Sequence, residues 1–87
     1  MTGPRYELVP AALRHHIDID DTLHAIDKAL SEFHLDAEPP RRPHDRVLVI
    51  GPDRSGLLLE VVHIPTDTAY RVIHSMRLRP GTRAKYL

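Results

Sequence analysis

Apolar side chains recur in the first third of the chain at the spacing of an amphipathic helix. Five of them are separated by four, three, four and three positions, which aligns them on one helical face. They are Ile19, Leu23, Ile26, Leu30 and Phe33. Asp18 precedes this stripe and is placed to be the N-cap. The pattern therefore predicts a helix over residues 19–33, preceded by a short helix from Pro10 or Ala11 to His16.

Short apolar segments and clusters of turn-forming residues alternate along the rest of the chain, which is typical of strands joined by tight turns. The predicted strands are residues 46–50, 57–64 and 69–76. Weaker patterns indicate a strand or an extended lead-in at residues 5–9, and a strand at 34–38. Residues 84–87 are predicted to form a helical turn.

This order of elements predicts an α+β fold. Sequential strands with short connections pair in antiparallel fashion. Because the helices come first, we expect N-terminal helices packed on one face of a three- to four-stranded antiparallel sheet. A length of 87 residues leaves no room for two domains, so residues 1–87 are predicted to form a single one.

Composition excludes several classes of protein. Lys plus Arg and Asp plus Glu each number 12, and this zero net charge argues against a uniformly basic nucleic-acid binder. The chain has no cysteine, which excludes disulfides and thiol nucleophiles. Its apolar runs are too short to span a bilayer, and its N-terminus has no signal-peptide pattern. We therefore expect a cytoplasmic protein without membrane association.

The charges are unevenly distributed along the chain. All the acidic residues lie within residues 1–67, whereas residues 68–87 carry five basic residues and no acidic one. The five are Arg71, Arg77, Arg79, Arg83 and Lys85. A basic segment of this kind can bind an anion even in a neutral chain.

The residue types of this basic segment suit cleavage of RNA without a metal ion. Arginine neutralises a phosphate as charge develops on it. A general base must activate the 2′-hydroxyl, and a general acid must protonate the leaving 5′-oxygen. His74 titrates near neutrality and suits either role, with Lys85 or Tyr86 as its partner. Tyr86 also suits stacking on an RNA base.

Four segments resemble motifs of BrnT-type toxins, which are small ribonucleases of bacterial type II toxin–antitoxin systems related to RelE. Leu13-Arg14-His15-His16-Ile17 resembles the family's K-H-G-[IV]-[ST] motif. Residues 46–62 are similar to its R-x-x-x-I-G … G-x-L-L-x-V-V hairpin. Residues 71–77 resemble its R-[IV]-I-S-A-R strand, and Lys85-Tyr86 resembles its basic-Tyr close.

The resemblance implies a RelE-like fold, cleavage of mRNA that inhibits translation, and neutralisation by a cognate antitoxin. It points to His15, Arg77 and the basic C-terminal segment as the site. Together with the chemistry above, the predicted catalytic residues are His74, Arg77, His15 and Lys85. The predicted RNA-binding residues are Arg79, Arg83, Tyr86 and Arg14. No metal and no cofactor is expected, and the choice between His15 and His74 as the acid–base group stays open.

Two other functions fit the sequence. In the first, the chain is a non-catalytic module that binds a protein or RNA, with an acidic face and the basic tail as complementary patches of a homodimer. The acidic face comprises Asp20, Asp27, Glu32, Asp36 and Glu38. In the second, the chain is a small metal-binding protein, because His63 and His74 lie on strands predicted to pair.

Overall fold

The computed structural model describes residues 5–87 and is built around a five-stranded mixed sheet. The strands are β1 (Tyr6–Leu8), β2 (Ser31–Leu35), β3 (Arg46–Pro52), β4 (Leu58–Pro65) and β5 (Tyr70–Arg77). Their order across the sheet is β1-β5-β4-β3-β2. Neighbours from β2 to β5 are antiparallel, whereas β1 lies parallel to β5.

A 3₁₀ helix (Pro10–Leu13) and α1 (Ile19–Asp27) precede β2, and α2 (Pro80–Tyr86) follows β5. Helix α1 packs on one face of this sheet, and α2 lies over part of the other face. We call the side that α1 covers the α1 face and the opposite side the α2 face. No helix within residues 5–87 has the length and apolar character needed to cross a membrane.

The expected RelE/BrnT-like arrangement, with N-terminal helices on a three- to four-stranded antiparallel sheet, is wrong. Residues 6–8 form a strand that pairs with the open edge of β5, where Tyr70 N donates to Arg5 O and Val9 N donates to Val72 O. This pairing satisfies backbone groups that an edge strand would leave free. The second α-helix, α2, follows the sheet instead of preceding it. Pro80 occupies the first turn of α2, where the fixed φ of proline favours the start of a helix.

The helix predicted over residues 19–33 is confirmed at its start and wrong at its end. Asp18 is the N-cap, and its carboxylate accepts from Asp20 N at 2.7 Å. The helix ends at Asp27, and Phe33 lies in β2, whose backbone pairs with β3. Pairing with a neighbouring strand therefore outweighs the helical spacing of the last two apolar positions.

The three central strands are confirmed to within two residues at each end. The predicted strand at 5–9 is confirmed as the shorter β1, whereas the one predicted at 34–38 lies earlier, at Ser31–Leu35. The helical turn predicted at 84–87 is the end of α2.

Close packing of α1 on the sheet forms the core. Val49, Leu59, Val61 and Val72 are fully buried beneath it. The backbone of α1 approaches β3 so closely at Gly51 that a Cβ there would overlap the Ala25 carbonyl group. Glycine at this position therefore sets the distance between helix and sheet.

A β-bulge in β5 decides which side chains face α2. The register pairs Val62 with His74 and His63 with Val72, so Ile73 is the extra residue. Directly paired residues share a face of the sheet, which puts Val72 on the α1 face and His74 on the α2 face. Strict alternation along β5 would put Val72 and His74 on one side of the sheet, and the bulge separates them.

Candidate active site

A buried carboxylate, Glu60 of β4, lies at the centre of the candidate site. It is 1% exposed, and its direct cross-strand partners, Ile50 and Met76, are apolar. Arg79 donates to it from the backbone N at 3.0 Å and from Nε at 2.8 Å. The Nε2 atom of His74 lies 2.8 Å from its Oε1 atom.

Glu60 is ionised at neutral pH despite its burial. Burial alone would raise the pKa of its carboxyl group, but hydrogen bonds from Arg79, Thr82 and His74 outweigh this effect and lower the pKa to about 2. An ionised carboxylate only accepts hydrogen bonds, so His74 donates from Nε2. Neutral His74 therefore carries its free lone pair on Nδ1, in the manner of a histidine oriented by a carboxylate.

His15 lies against His74. The two ring centroids are 5.7 Å apart, with the ring planes at 74°. A turn after the 3₁₀ helix makes this approach, and His16 in that turn has a φ of 59°, in the left-handed region. The pKa of His15 is lowered, first by partial desolvation and then by the charges of Arg14, His74 and Arg79. His15 is therefore suited to accept a proton at neutral pH.

A cavity of about 340 Å³ adjoins this pair on the α2 face. We call it the arginine pocket. Its apolar wall comprises Leu35, Leu48, Val62 and Ile73; its polar lining comprises Arg42, Arg46, Glu60, His74, Arg79, Thr82 and Tyr86. Three arginines thus face a single carboxylate, which is already hydrogen bonded. The pocket is suited to an anion that also carries an apolar or aromatic part.

The predicted residues of α2 lie at different distances from this pocket. Tyr86 lines it and packs against Phe33, with ring centroids 5.1 Å apart. Lys85 places Nζ 5.4 Å from the centroid of the Tyr86 ring and lines a neighbouring cavity. Arg83 is exposed on α2 and does not line the pocket.

Of the other predicted residues, Arg14 and Arg79 are near the histidine pair and Arg77 is not. Arg14 Nε lies 3.5 Å from His15 Nε2. Arg77 is the cross-strand partner of the buried Leu59, so it lies on the α1 face, and its Nη1 is 3.4 Å from Asp53 Oδ2. The structure therefore brings His15, His74, Arg14 and Arg79 together without Arg77.

The predicted meeting of His63 and His74 does not occur, because His74 pairs directly with Val62, and His63, the next residue of β4, points to the opposite face. His63 is buried beside Tyr6 and Tyr70, with ring centroids 6.2 and 5.1 Å away. Elsewhere, ligand atoms of His34, Asp36 and Asp45 lie within 4.8 Å of one another. All three of those residues are exposed, and His34 already pairs with both carboxylates.

Three charged residues of the site were absent from the sequence prediction: Glu60, Arg42 and Arg46. Glu60 has a recognisable signal, since it is the lone charge in the apolar run Leu57–Val62. A charge within a buried strand indicates a partner. The two arginines offer no comparable signal, because Arg42 lies in a proline-rich loop and Arg46 begins a strand.

Comparison with known proteins gives no match: no family model fits the sequence, and no curated protein or solved structure is similar to it at a significant level.

Proposed function

We propose that this chain is a metal-independent endoribonuclease whose acid–base pair is His15 and His74. The observation that carries the proposal is the contact between these two imidazoles, beside a pocket lined by arginines. Two imidazoles meet the need for one general base and one general acid. Glu60 adds the buried carboxylate that orients one of them.

In the proposed reaction, His15 removes the proton from a ribose 2′-hydroxyl, consistent with its lowered pKa. The 2′-oxygen bonds to phosphorus while the bond from phosphorus to the 5′-oxygen breaks. His74 enters this step protonated on both ring nitrogens and gives its Nδ1 proton to that leaving oxygen, while its Nε2–H stays bonded to Glu60. Arginines of the pocket neutralise the charge that develops on the phosphate. The products are a 2′,3′-cyclic phosphate and a 5′-hydroxyl end.

We further propose that the substrate is mRNA and that a cognate antitoxin neutralises the enzyme by covering the arginine pocket. The support is the resemblance of four segments to BrnT-type toxins, and the excess of cationic side chains in a pocket open to solvent. An acidic or amphipathic segment of a partner protein is the complementary occupant.

The test is incubation of EDTA-treated protein with total RNA and with a 5′-labelled oligonucleotide, with and without ribosomes. We expect cleavage with cyclic phosphate ends, and a loss of about 10²–10⁴-fold in His15→Ala and His74→Ala. His44→Ala is the matched control, because His44 is exposed and lies outside the site. Wild-type rates in both site variants, or no cleavage by folded wild-type protein under either condition, would refute the proposal.

A non-catalytic binding module is the second candidate, and the free edge of β2 favours it. Within residues 5–87, β2 pairs only with β3 and exposes Glu32 and His34, and the preceding Leu30 is 68% exposed. An open edge of this kind accepts a strand from another chain, including a second copy of this one. A stable dimer without RNA cleavage would favour this function over the nuclease.

A further inference from the structure

The strongest unexplained feature of the arginine pocket is the guanidinium group of Arg46. Its side chain is 10% exposed, and its Nη2 atom donates to Asp36 O at 3.1 Å and to Glu38 Oε1 at 3.3 Å. Its Nε atom is buried and has no hydrogen-bond partner within residues 5–87. Buried charged donors are normally satisfied, so an unpaired one at the wall of a cavity indicates a missing acceptor.

The charges around Arg46 favour an anion as that acceptor. Glu60 is the one carboxylate lining the pocket, and Arg79 and His74 already bind it. Glu38 contacts Arg46 but is not part of the pocket lining. Arg42, which also lines the pocket, is held at its rim because its backbone exchanges two hydrogen bonds with that of Glu38, at 2.7 and 3.0 Å.

The volume of the pocket and its apolar wall indicate which class of anion fits it. A volume of about 340 Å³ lies at the lower end of the range of about 300–1,000 Å³ for small-molecule sites. Leu48, Val62 and Ile73 belong to its apolar wall, and Tyr86 also lines it. A bare phosphate would leave that wall uncovered, whereas a single nucleotide brings both a phosphate and a flat base.

We propose that the arginine pocket is the subsite for one nucleotide of the RNA, next to the bond that is cleaved. Arg42 and Arg46 bind its phosphate, and the apolar wall packs against its base. His74 lies at the boundary between this subsite and His15, which places the bound nucleotide directly beside the reacting phosphate. The inference rests on the proposed ribonuclease function and adds the residues that select its substrate.

The experiment is an NMR titration of the full chain with the four nucleoside 3′-monophosphates, which have no phosphodiester bond to cleave. Inorganic phosphate and the corresponding nucleosides are titrated in parallel. We expect saturable shifts of pocket residues with at least one nucleotide, and binding at least about tenfold weaker for phosphate or nucleoside alone.

Arg42→Gln should weaken nucleotide binding at least about tenfold, since it removes a charged donor. Arg41→Gln is its matched control: the residue is adjacent and exposed but does not line the pocket. Arg46→Lys keeps the positive charge while removing the planar fork, and should also weaken binding. The spectrum of each variant reports whether it is folded.

Equal nucleotide affinity in Arg42→Gln and Arg41→Gln would overturn the subsite, as would the absence of saturable binding to wild-type protein. RNA cleavage without nucleotide binding would overturn the subsite alone and leave the nuclease proposal standing. Nucleotide binding without RNA cleavage would overturn the nuclease and retain the pocket as a nucleotide site.

Discussion

Glu60 and His74 lie diagonally on neighbouring strands and share a hydrogen bond of 2.8 Å on the α2 face. The carboxylate is buried, whereas the His74 side chain is 22% exposed. One partner is thus fixed in the protein interior while the other can reach a substrate. This relationship makes Glu60 a positioning residue for His74.

Glu60→Gln should reduce RNA cleavage by roughly 10²-fold or more, because an amide cannot fix the His74 ring as a carboxylate does. Cleavage rates measured across pH 5–9 should show a changed pH profile as well as a lower maximum. The control is Glu32→Gln, which changes an exposed carboxylate of β2 that does not line the pocket. Full activity of a folded Glu60→Gln protein would contradict the positioning role.

The same carboxylate should make the fold sensitive to acid. The pKa of Glu60 is about 2 in the folded protein, against an ordinary value of 4.5, so the unfolded chain binds its proton first as the pH falls. The contribution of Glu60 to stability is therefore complete above pH 4.5 and lost between pH 4.5 and 2. Urea denaturation across this range should show a steep loss of unfolding free energy in the wild type and a smaller loss in Glu60→Gln. The same pH dependence in both proteins would contradict this contribution of Glu60.

His63 should make stability depend on pH in a different window. Burial lowers its pKa from the ordinary value of 6.5, and its Nδ1 atom is buried without a partner among the described residues. The unfolded chain therefore binds this proton first, and stability should fall as the pH drops below 6.5. His63→Phe should reduce this dependence in urea denaturation at pH 5–8. The same substitution at the exposed His44 should leave it unchanged.

Two glycines offer a matched pair for stability. Gly51→Ala should lower the free energy of unfolding by about 1–3 kcal/mol or more, because its Cβ would collide with the backbone of Ala25 and push α1 from the sheet. Gly81→Ala lies in α2 with open space around its Cβ, and should raise that free energy by about 0.5–1 kcal/mol. Denaturant unfolding of both variants provides the measurement, and a stable Gly51→Ala protein would contradict the close packing described here.

Arg77 and Arg79 should differ in their effect on cleavage. Arg77→Ala removes an ion pair on the α1 face and should leave the cleavage rate within a few-fold of wild type. Arg79→Ala removes donors to Glu60 and should reduce the rate strongly. The measurement is the single-turnover rate at which each variant cleaves the same oligonucleotide, compared with the rate of the wild type. Loss of activity in Arg77→Ala with retention in Arg79→Ala would move the site to the α1 face.

Local patterns along the chain predicted most of the strands but only part of the site. The central strands have apolar, β-branched residues between turn formers, so short segments suffice to define them. The end of α1 depends on pairing of β2 with β3, which no local pattern reports. His74 lies on the face of Glu60 and Val72 on the opposite one because Ile73 is an extra residue in β5, and a single-residue insertion in a register is invisible in the sequence of one strand.

The candidate site was predicted in part for similar reasons. His15, His74 and Arg79 were recognisable by their chemistry and by resemblance to known motifs. Arg77 was assigned to the same site through the family resemblance and its place in the basic segment. It is three positions after His74 in β5, and because successive residues of a strand alternate between faces, the two side chains lie on opposite sides of the sheet. Arg42 and Arg46 come from a different part of the chain, and only the folded sheet brings them to the pocket.

The parallel pairing of β1 with β5 has a consequence for when the candidate site can assemble during synthesis. Translation produces β1 and His15 first, and their partner strand and His74 follow about 60 residues later. A nascent chain that stops after β4 has neither β5 as a partner for β1 nor the second imidazole. The proposed acid–base pair can therefore form only after β5 has been made, so the proposed nuclease would lack one of its two imidazoles while β1 to β4 are being translated.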